Sequence, residues 1–130
     1  MYFQVIKNTF MEKVNVLEKF ALFTDHWDPK IVGELNGQHV KLVKFQGDFI
    51  WHLHENEDEF FYVIKGKFKM QFRGDRKIDV CENEFLIVPR GIEHRSSAEE
   101  EAYVLVFEPT TTVNTGNVKN ELTNKILEHL

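Results

Sequence analysis

From Ile31 onward, apolar and polar positions alternate in short runs broken by turn residues, a period of two that predicts strands rather than helices. Residues 31–35 and 38–46 are two such runs, and Asn36-Gly37 between them is a strong two-residue hairpin signal. An apolar run follows at 60–64. In residues 67–73, Phe68, Met70 and Phe72 share one face while Lys67, Lys69, Gln71 and Arg73 share the other. Gly74-Asp75 turns the chain, 77–80 returns, and 84–88 comes after Glu82-Asn83. Pro89-Arg90-Gly91 is a turn that delivers His94 to the start of the next strand, Glu99-Glu100-Glu101 reads as a charged loop, and 103–107 as a further strand. Strands spaced by about 8 to 12 residues with turns between them indicate an all-β sandwich or barrel.

The two ends read differently. Within 10–23, Asn15 with Glu18 three residues later predicts a capping box and a short helix. Val14, Leu17, Phe20 and Ala21 would share its apolar face, lying against the outside of a sheet. Residues 108–116 are irregular, and 123–130 predict a helical turn with Leu122, Ile126 and Leu130 aligned. Runs 60–64 and 102–107 are apolar on both faces, which a barrel interior alone does not explain. A partner subunit or the terminal segments must cover the outer side.

The candidate chemistry interrupts this pattern. His52 and His54 sit two apart in an apolar stretch, so side-chain alternation projects both imidazoles from one face. Four polar residues later, Glu59 opens the returning strand on the same face as Phe61 and Val63, where a carboxylate among hydrophobes needs a cation. With the later His94, three imidazoles and one carboxylate form a ligand set for one divalent transition metal ion: zinc, nickel, iron, manganese or copper. Glu59 is also the candidate catalytic base. Ile50, Phe61, Val63, Phe68, Met70 and Phe72 are the expected pocket-lining residues, whereas Phe49, Trp51, Phe60 and Tyr62 should face away. His26, His39 and His129 have no spaced partners and read as solvent-facing.

These segments, His-x-His, four residues, Glu59, six residues, Gly66, and then Pro89-x-Gly91-x-x-His94, resemble the paired motifs of the cupin superfamily. The resemblance implies a double-stranded β-helix (jelly-roll) barrel spanning about 30–108 of a single domain, with short terminal helices packed outside. It also implies a homodimer, a common assembly among similar cupins. Three positions depart from the family pattern: Gln46 and Asn83 stand where glycine is usual, and Ala98 where asparagine is usual. Asn83 can still adopt a left-handed turn. What the resemblance implies for activity is a metal-dependent enzyme of dioxygenase, isomerase or lyase type acting on a small organic molecule. The alternative is a non-enzymatic binding or sensing module using the same pocket.

Composition narrows the setting. At 130 residues, 42% hydrophobic with 12 Phe, the chain has material for one core. A formal charge of −5 with no basic stripe argues against a nucleic-acid partner. No apolar run approaches the roughly 18 residues of a membrane span. Cys81, the one cysteine, cannot form an internal disulfide and reads as a half-buried bystander, and residues 1–5 lack signal-peptide features, so the cytoplasm is the expected compartment.

Overall fold

The computed structural model describes residues 11–130, and the expectation for residues 1–5 falls outside them. Among the described residues one short helix, α1 (Val16–Phe20), precedes eight strands: β1 (Lys30–Leu35), β2 (Gln38–Asp48), β3 (Glu59–Lys65), β4 (Lys67–Phe72), β5 (Arg76–Cys81), β6 (Phe85–Val88), β7 (His94–Pro109) and β8 (Glu128–His129). This is the all-β architecture that the strand pattern predicts, in the jelly-roll form that the cupin resemblance implies.

β7 organises the sheet. Along one edge it pairs antiparallel with β2, from Gln38 opposite Pro109 to Asp48 opposite Ser97. Along the other edge its first residues pair with β4 and its later ones with β3. The expected charged loop at Glu99–Glu101 is therefore absent, and those residues lie within one continuous strand. The reason is a bulge: Phe45 pairs with Ala102 and Gly47 with Ala98, so two steps on β2 oppose four on β7. Extra residues of this kind bend a strand sharply and let it change partners. The three glutamates are exposed at that bend, between the buried Ala98 and Ala102.

Turn chemistry follows the residues. Asn36 and Gly37 both take positive φ (50° and 74°), the hairpin conformation that twists compatibly with β1 and β2. Asn83 adopts φ 67°, supplying the left-handed turn in glycine's stead.

Two apolar clusters lie on opposite faces of the sheet. Inside the barrel, Val43, Phe45, Phe61, Val63, Phe68, Met70, Val80, Val88, Val104 and Val106 pack together. Outside, Phe20, Phe23 and Leu42 pack with Ile64, Tyr103, Leu105 and Leu130. Phe20 stacks on Tyr103 with centroids 4.4 Å apart. The segment containing α1 thus covers the outer apolar face of β7. Asn15 caps the helix by accepting from Glu18 N at 3.0 Å, but the helix starts too late for Val14 to join its face, and Leu17 points to solvent.

The C-terminal helical turn is not formed. Glu128–His129 instead adds to β1 as a parallel strand, Leu130 joins the outer cluster, Leu122 packs against the inner one, and Ile126 is exposed. Leu130 N donates to Ile31 O, so edge hydrogen bonding of β1 replaces the helical pairing. Cys81 is exposed rather than half-buried. Among the described residues, no helix is long and apolar enough to cross a membrane.

Candidate metal centre

His52, His54, Glu59 and His94 converge inside the barrel, with one ligand atom from each lying within 4.8 Å of all the others. Glu59 starts β3 and His94 starts β7. His52 lies outside any strand but pairs with His94 through an isolated bridge, His52 N to His94 O at 3.0 Å and His94 N to His52 O at 2.9 Å. Gly91 N donates to His54 O at 2.7 Å, so the turn that carries the distant histidine is tied directly to the His-x-His segment.

Two of the rings are oriented by the same local device. His52 Nδ1 donates to Ile50 O at 2.9 Å and His94 Nδ1 donates to Ile92 O at 2.8 Å. With the proton on Nδ1, each ring presents a lone pair at Nε2, the state a metal ligand requires. His94 Nε2 then faces Glu59 Oε1 at 3.3 Å, and His54 Nε2 faces the same oxygen at 3.1 Å. Ligands held about 2.1 Å from one ion stand roughly 3.0 to 3.4 Å apart, so the separations suit a shared cation. His54 Nε2, Glu59 Oε1 and His94 Nε2 are all buried without a hydrogen-bond partner. A buried lone pair opposed to a carboxylate oxygen is costly unless a cation or proton lies between them. The residues therefore fit a metal ion.

The electrostatics agree. Burial drives His52 down to about 4, helped by the nearby His94, so its ring is neutral near pH 7. Burial would also lower His54, but the contact with Glu59 outweighs it and raises this ring. Glu59 would be pushed up by its burial, yet His54 and His94 hold it well below the usual carboxylate range. The site therefore presents a carboxylate and at least one neutral imidazole at neutral pH.

A small cavity of about 40 Å³ adjoins His52 and Glu59. Its walls come from the inner faces of β2 (Val43, Phe45), β3 (Phe61) and β7 (Ser96, Val106, Glu108), closed by Trp27, Pro29, Phe49 and Asn114. Of the residues expected to line a pocket, Phe61 borders this cavity. Val63, Phe68 and Met70 fill the barrel core instead, and Ile50 and Phe72 pack against that core. Phe68 of β4 stands behind the cavity wall, edge-on to Phe45 at 5.2 Å and tilted against Phe61 at 5.8 Å.

Phe49 departs from expectation in the other direction. It lies inside, its ring edge-on to His52 at 5.4 Å, because it keeps the inward phase of Val43 and Phe45, and alternation does not carry on through 49–52. Trp51 does face outward, beneath the Arg73 guanidinium at 4.0 Å. Phe60 stacks on Phe85 at 5.0 Å, and Tyr62 donates to Asn83 Oδ1 at 3.2 Å. Outside the site, His26 pairs with Glu101 and His129 is exposed, whereas His39 is largely shielded beside Glu34 rather than solvent-facing.

Trp27, Glu108 and Asn114 were not anticipated at the cavity. Trp27 has φ 61°, a conformation invisible in the pattern, and stacks on Phe45 and Phe49 at 4.5 and 4.8 Å. Glu108 did leave a signal, since it continues the inward phase of Ala102, Val104 and Val106. Its carboxyl neighbours Glu59. Burial first, then the charge of Glu59, pushes it well above the usual carboxylate range against the pull of Lys41.

Comparison with known proteins places this geometry. An uncharacterized protein from Bacillus subtilis (strain 168), YdbB, is 32% identical over 81 residues, covering 62% of this chain. That match spans 66% of YdbB, just under two thirds of its length. The crystal structure of a cupin-2 domain containing protein from Shewanella frigidimarina NCIMB 400 is similar at a TM-score of 0.72 and 40% identity, over 74% of this chain and 93% of that one. Protein NMB1881 from Neisseria meningitidis gives a TM-score of 0.70 at 26% identity, over 75% of this chain and 99% of its own. The cupin domain family itself matches residues 39–109, from the start of β2 to the end of β7. Because that match takes in more than half of the chain and contains all four convergent residues, the chain belongs to the cupin family.

Proposed function

We propose that the chain is a metal-dependent enzyme acting on a small organic molecule, with one divalent transition ion held by His52, His54, Glu59 and His94. The observation that carries this reading is the opposition of His94 Nε2 to Glu59 Oε1 at 3.3 Å, with the ring proton already committed to Ile92 O. A ligand set of three neutral nitrogens and one oxygen suits zinc, nickel, iron, manganese or copper. When bound, such an ion supplies a Lewis acid that polarises or activates a substrate oxygen, water or dioxygen. Glu59 borders the cavity as well as the ligand cluster, so its carboxyl is the group placed to accept a proton from a molecule bound there.

The cavity limits the substrate. About 40 Å³ accommodates roughly three water-sized positions, so the portion of substrate it holds is only a few heavy atoms. Trp27, Phe45, Phe49 and Phe61 favour an apolar or flat body, with an oxygen turned toward His52 and Glu59. An oxygen-chelating small molecule processed by a dioxygenase, isomerase or lyase reaction is the class we infer, acting in the cytoplasm. We further propose a homodimer, seated on the exposed Phe85 and Ile87 of β6.

Metal content measured on protein purified without added metal tests the first step. Stoichiometric transition metal, abolished by H52A/H54A with the β-rich circular dichroism retained, supports the reading. Metal-free protein that also fails to take up added zinc, nickel, iron, manganese or copper sinks it. Turnover assays on small acids, phenols and sugars with the ferrous, nickel and manganese forms then test for enzyme action. Tight retention of an unchanged small molecule, with no turnover, would favour the binding module instead.

A further inference from the structure

The residues following β7 lie beyond the stretch matched by the cupin family, yet they reach back to the metal centre. Leu53, between His52 and His54, has both backbone polar groups occupied by one residue: Leu53 N donates to Asn117 Oδ1 at 2.9 Å, and Asn117 N donates to Leu53 O at 3.1 Å. Gly116 packs so closely against the same segment that a Cβ there would stand 2.2 Å from Leu53 O and 3.1 Å from His52 Cδ2. Its φ of 57° independently favours glycine. Nearby, Thr111 Oγ1 donates to Glu57 Oε2 at 3.0 Å.

The clamp is itself braced. Thr115, fully buried, donates from Oγ1 to Val118 O at 2.6 Å, and Asn114 Nδ2 donates to Leu122 O at 2.8 Å. The segment it holds has little regular structure of its own, because residues 49–58 belong to no strand apart from the single His52 bridge. A rigid brace acting on a loosely built ligand segment is how outer-shell contacts set ligand orientation.

We propose that Gly116 and Asn117 are positioning residues that fix the relative orientation of His52 and His54, making the C-terminal tail a working part of the metal centre. The inference rests on the metal reading above. Cobalt(II) is the probe, since its visible absorption reports ligand number and geometry.

Asn117→Ala removes the side-chain acceptor and should weaken cobalt binding at least tenfold, within the roughly 10- to 100-fold range of outer-shell losses, and change the absorption band. Asn117→Asp keeps an acceptor oxygen and should restore affinity to within about threefold and recover the parental spectrum. Gly116→Ala should mimic N117A if it folds. Melting of the metal-free proteins serves as the control: N117A and N117D should melt alike. Parental affinity and spectrum in N117A, or a loss in N117A that N117D fails to restore, overturns the clamp while leaving the metal reading intact. A parental chain that takes up no cobalt or other divalent transition metal overturns both.

Discussion

Lys41 donates a hydrogen bond from Nζ to Glu108 Oε2 at 2.5 Å inside the barrel, with both side chains almost wholly buried. Lys41 shares the inward face of β2 with Val43 and Phe45, and Glu108 ends the inward series of β7. The pair thus adjoins the metal centre, because Glu108 neighbours the Glu59 carboxyl. Removing one member leaves the other buried without its partner. Lys41→Met should therefore destabilise the protein by about 3 kcal/mol in urea unfolding, and Lys41→Met/Glu108→Leu by less than Lys41→Met alone. A double variant weakened by the sum of the two single effects would show that the two side chains act independently.

The histidines should titrate far apart in the metal-free protein. His52 is depressed to about 4 and His54 is raised, so NMR should find His52 neutral through pH 5 while His54 holds its proton above the ordinary histidine value. For His52 the folded value lies below the unfolded one. Its contribution to stability is then complete above about pH 6.5 and is lost as pH falls toward 4, with an upper size of about 3 kcal/mol. His54 acts in the opposite sense, stabilising at low pH and losing that contribution as pH rises through its raised value. Metal uptake should weaken as acid protonates His54, with His52 joining the competition only near pH 4. Coincident titration of the two rings would contradict this account.

Two glycines with nearly equal φ make an internal comparison. Gly66 (φ 82°) lies where a Cβ would approach Glu101 O to 3.1 Å and Ala102 Cα to 3.3 Å, whereas Gly74 (φ 80°) has nothing within 4 Å. Gly74→Ala should cost about 1 kcal/mol from backbone conformation, and Gly66→Ala about 2 to 3 kcal/mol because the bulge in β7 must also yield. Equal losses in chemical denaturation would mean that the contact at the bulge carries no weight.

Phe85 and Ile87 are 58% and 53% exposed on the outer side of β6, beside the ring of Phe60. If a second copy covers this strip, Phe85→Glu/Ile87→Glu should convert a dimer to a monomer in light scattering, with thermal stability falling in a concentration-dependent manner in the parental protein alone. A parental chain that is monomeric at high micromolar concentration ends the proposal.

Much of this architecture was legible because its signals are local. Asn36-Gly37 dictates its hairpin, the alternation in residues 67–73 dictates which side of β4 is buried, and Pro89-Arg90-Gly91 dictates the turn ahead of His94. His52, His54 and Glu59 were legible for the same reason, since period two places them, whereas His94 was legible from the turn that delivers it and from the cupin-like motif it closes. What escaped depends on distant partners. Glu99–Glu101 looks like a loop until Gly47 and the two alanines show that the extra residues are absorbed as a bulge within β7. Phe49 keeps the inward phase of Val43 and Phe45, and the irregular stretch after β2 resets that phase before His52. The tail has helical spacing at Leu122, Ile126 and Leu130, but the free edge of β1 offers backbone hydrogen bonds that a short isolated helix cannot match.

The central place of β7 has a consequence for how the chain acquires its shape. Its partners β2, β3 and β4 all precede it, and Gln38 must wait for Pro109 before their pairing can close. During synthesis the earlier hairpins would emerge with one edge unsatisfied, and the sheet could join only when the last long strand arrived. Assembly should therefore be late, concerted and slow, on the order of milliseconds to seconds for a fold dominated by such distant pairings. The ligand cage, which joins His52, His54 and Glu59 to the first residue of β7, would come into being in the same event.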